Sequence, residues 1–291
     1  FRSYAPMRPD AAAEQLAREL GAVFVLDGPQ VLPAFAPEAA VLLLRQQGPL
    51  RISGRPVMGA PVSSAGMEEA ELCRLAACLH AGGTRTLGLG MSLGDLCMDE
   101  GFYPAVFAQL AAAAARLREK TGLTVLIFDL GGGFGVSCRP DCPGPDLSAC
   151  AEALRAQTCA LPEALQGVQL SMSPGRFLAA GGGVLVCRVV AVKPGPTAVL
   201  DVSAAQCLRL EKRGAYHEAA ALRTAGRPPI LQQLTTLEQG APFARQVLPQ
   251  LRAGDPVVIR MLGADGRSFS CASERCPAYL LRADGTIEPI E

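Results

Sequence analysis

The sequence predicts an α/β fold, with strand–helix repeats over residues 1–180 and a β-rich domain over residues 181–291. Three observations predict it. In the first part short apolar runs alternate with Ala-rich stretches of helical period, the pattern of a parallel sheet or barrel. Ile127-Phe128-Asp129-Leu130 runs directly into Gly131-Gly132-Gly133, as at the carboxyl end of a strand. After about Val184 the texture changes to Val-rich segments punctuated by Gly and Pro.

The predicted strands of the first part are residues 2–5, 22–26, 39–44, 50–53, 86–91, 124–130 and 168–172. Helices are predicted over 11–20, 67–80, 102–121 and 147–165, each with one apolar stripe, as in Phe107, Leu110, Ala111, Ala114 and Leu117. In the second part strands are expected at 184–192, 197–201, 256–261 and 279–282, with one helical stretch at 216–222. Pro140, Pro143 and Pro145 mark an exposed loop.

The chain has 291 residues, with Lys plus Arg equal to Asp plus Glu at 27 each. No basic surplus favours nucleic acid or an anionic membrane, so small molecules and proteins are the expected partners. Apolar runs fall short of the ~18 residues that a membrane span requires. A soluble, cytoplasmic protein is expected, with no secretory signal ahead of the first strand. The first residue is Phe1 rather than Met, which leaves upstream residues open. Eleven cysteines, an odd number spread over the whole chain, read as reduced thiols. Without CxxC pairs or neighbouring histidines, no metal site is expected.

Taken alone, the glycine run reads either as a cradle of backbone N–H groups for a phosphate or as a tight turn. Other motifs accompany it. Tyr4-Ala5-Pro6-Met7-Arg8-Pro9 resembles a strand end "YA-x-K-A-N-P" with the lysine replaced by Met7. Ser173-Pro174-Gly175-Arg176-Phe177-Leu178 resembles "EPGR-x-L", and residues 88–95 resemble "G-L-H-F-H-x-G-S". Leu200-Asp201 through Arg209, then Tyr216-His217, resemble "D-x-G…R-P…AYH", and Gly263-Ala264-Asp265-Gly266 resembles "G-A-Y-G".

In this order the motifs resemble the ornithine/diaminopimelate decarboxylase family of pyridoxal-phosphate (PLP) enzymes of fold type III. The resemblance implies an alanine-racemase-like (β/α) barrel of TIM type followed by a β-rich domain. The span from Met7 to Ser173 is short for the family, so an abbreviated barrel is expected. Only Lys120, Lys193 and Lys212 are present, and none is placed at a barrel strand end.

The resemblance also implies which groups have changed. The lysine that carries PLP is Met7, and a thioether forms no Schiff base. The stacking histidine is Ser92, the glutamate at the pyridine nitrogen is Ser173, and the cysteine donated across the family's dimer interface is Leu237, next to a retained Glu238. Gly131, Gly132, Gly133, Gly175 and Arg176 remain as a vestigial phosphate site, opposed by Asp95 and Asp265, whose charge repels a phosphate dianion. Arg176 is expected to pair with Asp95, Asp129 or Asp265. Arg209 matches a substrate-carboxylate arginine, but the preferred reading is a surface residue beside a turn. His217 reads as a structural group, and His80 as a helix-end residue.

The expected protein is thus a degenerate decarboxylase homologue without catalysis or covalent PLP. It acts by association, as a homodimer or as a heterodimer with a related decarboxylase, or by ligand binding. Two alternatives stay open: a decarboxylase with a non-standard site, which uses PLP or another phosphorylated ligand through a different lysine or noncovalently, and a small-molecule binding module drawing on Asp95 and Asp265.

Overall fold

A computed structural model describes residues 3–4, 10–29, 42–47, 51–52, 55–56, 66–92, 97–137, 141, 143–206, 216–238, 243, 245–264 and 276–290. The chain divides into two compact units, Phe1–Val136 with Gly144–Pro174, and Ser137–Pro143 with Gly175–Glu291.

The first unit contains strands β1 (Ser3–Tyr4), β2 (Val23–Leu26), β3 (Leu42–Gln46), β4 (Arg51–Ile52), β5 (Arg55–Pro56), β6 (Thr86–Met91), β7 (Thr124–Asp129) and β8 (Gln169–Ser171). Six of them form a sheet in the order β1-β2-β3-β6-β7-β8, and every neighbouring pair is parallel. Strand order follows chain order without reversal. Right-handed crossovers then deliver every connecting helix to the same face, the winding of a barrel rather than of a doubly wound sheet.

The connecting helices are α1 (Ala11–Glu19), α2 (Glu69–Ala81), α3 (Phe102–Thr121) and α4 (Leu147–Cys159). Asp10 starts α1 by accepting from the Ala12 and Ala13 amides, and Asp146 starts α4 by accepting from those of Ser148 and Ala149. Gly122, at φ 77°, ends α3 in the left-handed region, with Arg118 and Lys120 in the last turn. Val106, Phe107, Leu110, Ala113, Ala114 and Leu117 form the buried stripe of α3, and the Phe107 ring meets Phe128 of β7 edge-on at 5.5 Å.

The sequence expectations need two corrections here. Residues 50–53 add no strand to the parallel series, because Arg51–Ile52 pairs antiparallel with Arg55–Pro56 in a separate ribbon. The helix expected over 147–165 stops at Cys159, and only a short 3-10 turn, Glu163–Leu165, follows. Pro162 explains the break, since a residue before proline is pushed out of the helical region.

The second unit contains α5 (Gly175–Ala179), β9 (Leu185–Lys193), β10 (Thr197–Leu200), β11 (Ala219–Ala221), β12 (Pro229–Thr235), β13 (Gln246–Pro249), β14 (Pro256–Ile259), β15 (Ala278–Leu281) and β16 (Ile287–Ile290). Its main sheet runs β11-β14-β9-β10-β12-β13, antiparallel except for β10 and β12. Cys187, Val189, Leu200, Leu234, Phe243, Leu248, Val257 and Ile259 form its core. The helix expected at 216–222 is instead a strand, in which Ala219, Ala220 and Ala221 pair with Ile259, Val258 and Val257. Alanine's helical preference is a weak local term, and the ladder outweighs it. Strands β12, β13 and β16 were not expected from the sequence. Among the described residues no helix is long and apolar enough to cross a membrane, and no His/Cys/Asp/Glu group is arranged to hold a metal ion.

Candidate functional site at the carboxyl ends of the parallel strands

Alternation along a strand sends successive side chains to opposite faces, and partners in register share a face. One face of the parallel sheet carries Phe24, Leu26, Leu42, Leu44, Leu87, Leu89 and Phe128, all buried, and through Phe128 it meets α3. The opposite face holds a smaller apolar cluster of Val23, Val25, Leu43 and Ile127. Cα partners there run Val25, Leu43, Gly88, Ile127, Gln169, and one step toward the carboxyl ends Arg45, Gly90, Asp129, Ser171. Asp27, directly after β2, extends this second row. The row is polar where the one beneath it is apolar from Val25 to Ile127.

A bulge places Asp129 in that row. Val125 pairs with Leu87 and Ile127 with Gly88, so Leu126 is an extra residue that reverses the alternation after it. Phe128 consequently turns toward α3 and Asp129 toward the opposite face. Gly90 makes room for it, since a Cβ there would lie 2.9 Å from Leu43 Cδ2 and 3.0 Å from Asp129 Cβ.

Charges in the row are unequal. Arg45 Nη1 sits 2.9 Å from Asp27 Oδ1 and 3.0 Å from Oδ2, and the two side chains are only 18% and 12% exposed. Asp129 Oδ1 accepts the Gly131 amide at 3.1 Å, and among the described residues no other donor meets this carboxylate. Burial pushes the Asp129 carboxyl above the ordinary range, against the opposing effects of the Gly131 amide and the Arg45 charge.

Beyond the row lies the glycine turn. Gly131 has φ 70° and Gly133 φ 91°. A Cβ on Gly131 would come 2.2 Å from the Met91 carbonyl oxygen, and one on Gly132 2.7 Å from that of Ser173. The turn is therefore glycine for packing reasons, whatever it binds. Ser173 N donates to Gly131 O at 2.8 Å, Cys97 N to Gly133 O at 2.9 Å, and the buried Tyr103 hydroxyl to Gly131 O at 3.5 Å. Burial pushes the Tyr103 phenol well above its usual range, so it stays protonated as a donor. The Gly132 and Gly133 amides meet no acceptor among the described residues.

Of the residues singled out from the sequence, Met7, Asp95, Arg209 and Asp265 lie outside the described residues. Ser92, half-buried, directly follows β6, and Ser173, exposed, lies two residues beyond β8. Both stand at the same end of the sheet as Gly131, Gly132 and Gly133. Gly175 and the half-buried Arg176 open α5 in the second unit, where a Cβ on Gly175 would meet nothing within 4 Å. Leu237 is 50% exposed and donates its amide to Val202 O, while Glu238 Oε2 accepts the Ala204 amide at 2.7 Å.

His217 is buried with Nδ1 3.0 Å from Arg260 O, and burial pulls its pKa down. Its carbonyl and the Ala219 amide are both held by the Gln246 side chain, a structural arrangement. His80 lies in the last turn of α2, its carbonyl accepting from Gly83 N and Arg85 Nη1. Lys120 lies at the far end of α3, with Nζ 3.9 Å from Cys73 Sγ. The sequence reading missed Asp27, Arg45 and Ser171. A charge inside an apolar strand run, as in Leu42-Leu43-Leu44-Arg45, is the signal that would have found Arg45.

Residues 65–180 match the family model described as pyridoxal-dependent decarboxylase, pyridoxal binding domain. The chain is 29% identical to Protein TabA of Pseudomonas amygdali pv. tabaci, over 93% of this chain and 66% of that protein. It is 33% identical to diaminopimelate decarboxylase of Campylobacter jejuni, over 56% of this chain and 41% of that enzyme. The chain thus spans no more than about two thirds of either relative. Among solved structures, diaminopimelate decarboxylase from M. jannaschii in complex with L-lysine matches 99% of this chain and 70% of its own, with TM-score 0.82 and 17% identity. The Helicobacter pylori enzyme complexed with L-lysine matches 99% and 74%, with TM-score 0.79 and 18% identity. These structural likenesses establish the fold, a TIM-type barrel with a β-rich domain.

Proposed function

We propose, from the premise that this chain is a fold-type III protein homologous to the pyridoxal-dependent decarboxylases, that it has lost the lysine carrying the cofactor and acts by binding or association. The observation that carries this reading is Met7, at the sequence position where the resemblance places the lysine, three residues after Tyr4. The described residues do not fit a covalently held cofactor. Lys120 lies in the last turn of α3 beside Cys73 of α2, just ahead of the amino-terminal end of β7 rather than its carboxyl end, and Lys193 ends β9 in the second unit. Ser92 and Ser173, at the strand ends where the family has a histidine and a glutamate, supply neither an aromatic ring nor a carboxylate.

Association is supported by apolar surface on the second unit. Tyr279, Leu281 and Ile287 of the β15–β16 ribbon, and Val247 of β13, are 62–69% exposed. We read the chain as a barrel unit over residues 1–180 and a β-rich domain over 181–291, which pairs with a second copy or with a related decarboxylase.

The test is the visible absorbance spectrum of the purified protein with added PLP. No aldimine band is expected, and borohydride should leave no cofactor on the protein. A band that borohydride abolishes, with the cofactor fixed to a lysine, would overturn the reading. A second reading, noncovalent binding of a phosphorylated ligand, is favoured by the open Gly132 and Gly133 amides. PLP retained through gel filtration yet never trapped by borohydride would select it.

A further inference from the structure

On the inner face of the parallel sheet, Ser171 is the Cα partner of Asp129, and Ser92 and Ser173 continue the alternation of β6 and β8 on that face. Ser92 and Ser171 are half-buried and Ser173 is exposed, so the group is open on one side. Among the described residues none of the three hydroxyls has a protein partner. The guanidinium of Arg45, the cation of the row, is held by Asp27 at 2.9 Å. Asp129 therefore keeps one oxygen without a donor, with Ser171 next to it in register and Ser92 and Ser173 two residues further along the flanking segments from Gly90 and Ser171. An anionic acceptor with neutral acceptors on the neighbouring segments complements a group with three N–H donors and one positive charge. A divalent metal requires more charged ligands than this single carboxylate.

We propose that Asp129, with Ser92, Ser171 and Ser173, binds the ammonium group of a small primary amine. The inference rests on the reading that no lysine-bound cofactor occupies this end of the sheet. Asp129 supplies the charge, and the hydroxyls accept the remaining N–H groups.

The test is a thermal-shift and calorimetric titration of the whole chain with ethylammonium chloride, against sodium chloride and tetramethylammonium chloride at equal ionic strength. A saturable rise in Tm with ethylammonium alone is expected, because tetramethylammonium carries the charge without an N–H. Asp129→Asn should abolish it. Ser171→Ala, a milder change that keeps the charge, should weaken binding about tenfold. Equal responses to the two organic cations, or an ethylammonium response that survives both substitutions, would overturn the proposal. An aldimine band with PLP would remove the premise, whereas a flat ethylammonium titration without that band would sink this inference alone.

Discussion

Asp129 shows how one residue is fixed by its neighbours and what that costs. It is a carboxylate on a strand end, brought inward by a bulge and held by one amide where the nearest guanidinium is already committed. Its folded pKa is raised, so the folded state holds the proton to higher pH than the unfolded chain does. Its contribution to stability is therefore full below the unfolded carboxylate value of about 4 and is lost as pH rises through the folded value. Asp129→Asn should remove that loss. Urea midpoints measured from pH 4 to pH 7 should fall with pH in the parent by a component that the variant lacks, and at pH 7 the variant should be at least as stable. A variant with the parent's full pH dependence would show that the carboxylate is not desolvated. His217 titrates with the opposite slope, since burial lowers its pKa and acid costs stability, so the two profiles are separable.

At the scale of elements, the first unit was legible because strand and helix periods are local. The predicted spans 86–91 and 102–121 match β6 and α3 residue for residue, and β2 and α1 differ by one residue at an end. The errors lie where a non-local contact decides. Ala219, Ala220 and Ala221 are helix formers in isolation but are claimed by the β14 ladder and the Gln246 side chain. Gln232 and Gln233 hid β12, because buried glutamine reads as loop until its partners are known. Gln232 Nε2 donates to the Leu248 and Pro249 carbonyls, and its Oε1 accepts the Leu251 amide. Helix starts, by contrast, are written locally. Asp146→Ala should lower stability by about 1 kcal/mol through loss of the α4 cap, read as a shift in urea midpoint at constant slope.

For the whole molecule, the (β/α) alternation was legible in the sequence, with residues 50–53 wrongly counted into it, and the candidate site was legible only in part. Ser92, Ser173 and the three glycines were found through motifs. Asp27, Arg45 and Ser171 were not, because their relation to Asp129 exists only once the register of five neighbouring strands is set. Association belongs to this scale too. Light scattering at micromolar concentration should give the mass of two chains, or a mixed species with a related decarboxylase; a single-chain mass in both experiments would overturn that reading. Leu126 meanwhile acts on the strand as an inserted base acts on a reading frame. Every position after it is read in the other phase, so whoever threads a new sequence onto β7 must count from both ends toward residue 126 and never through it.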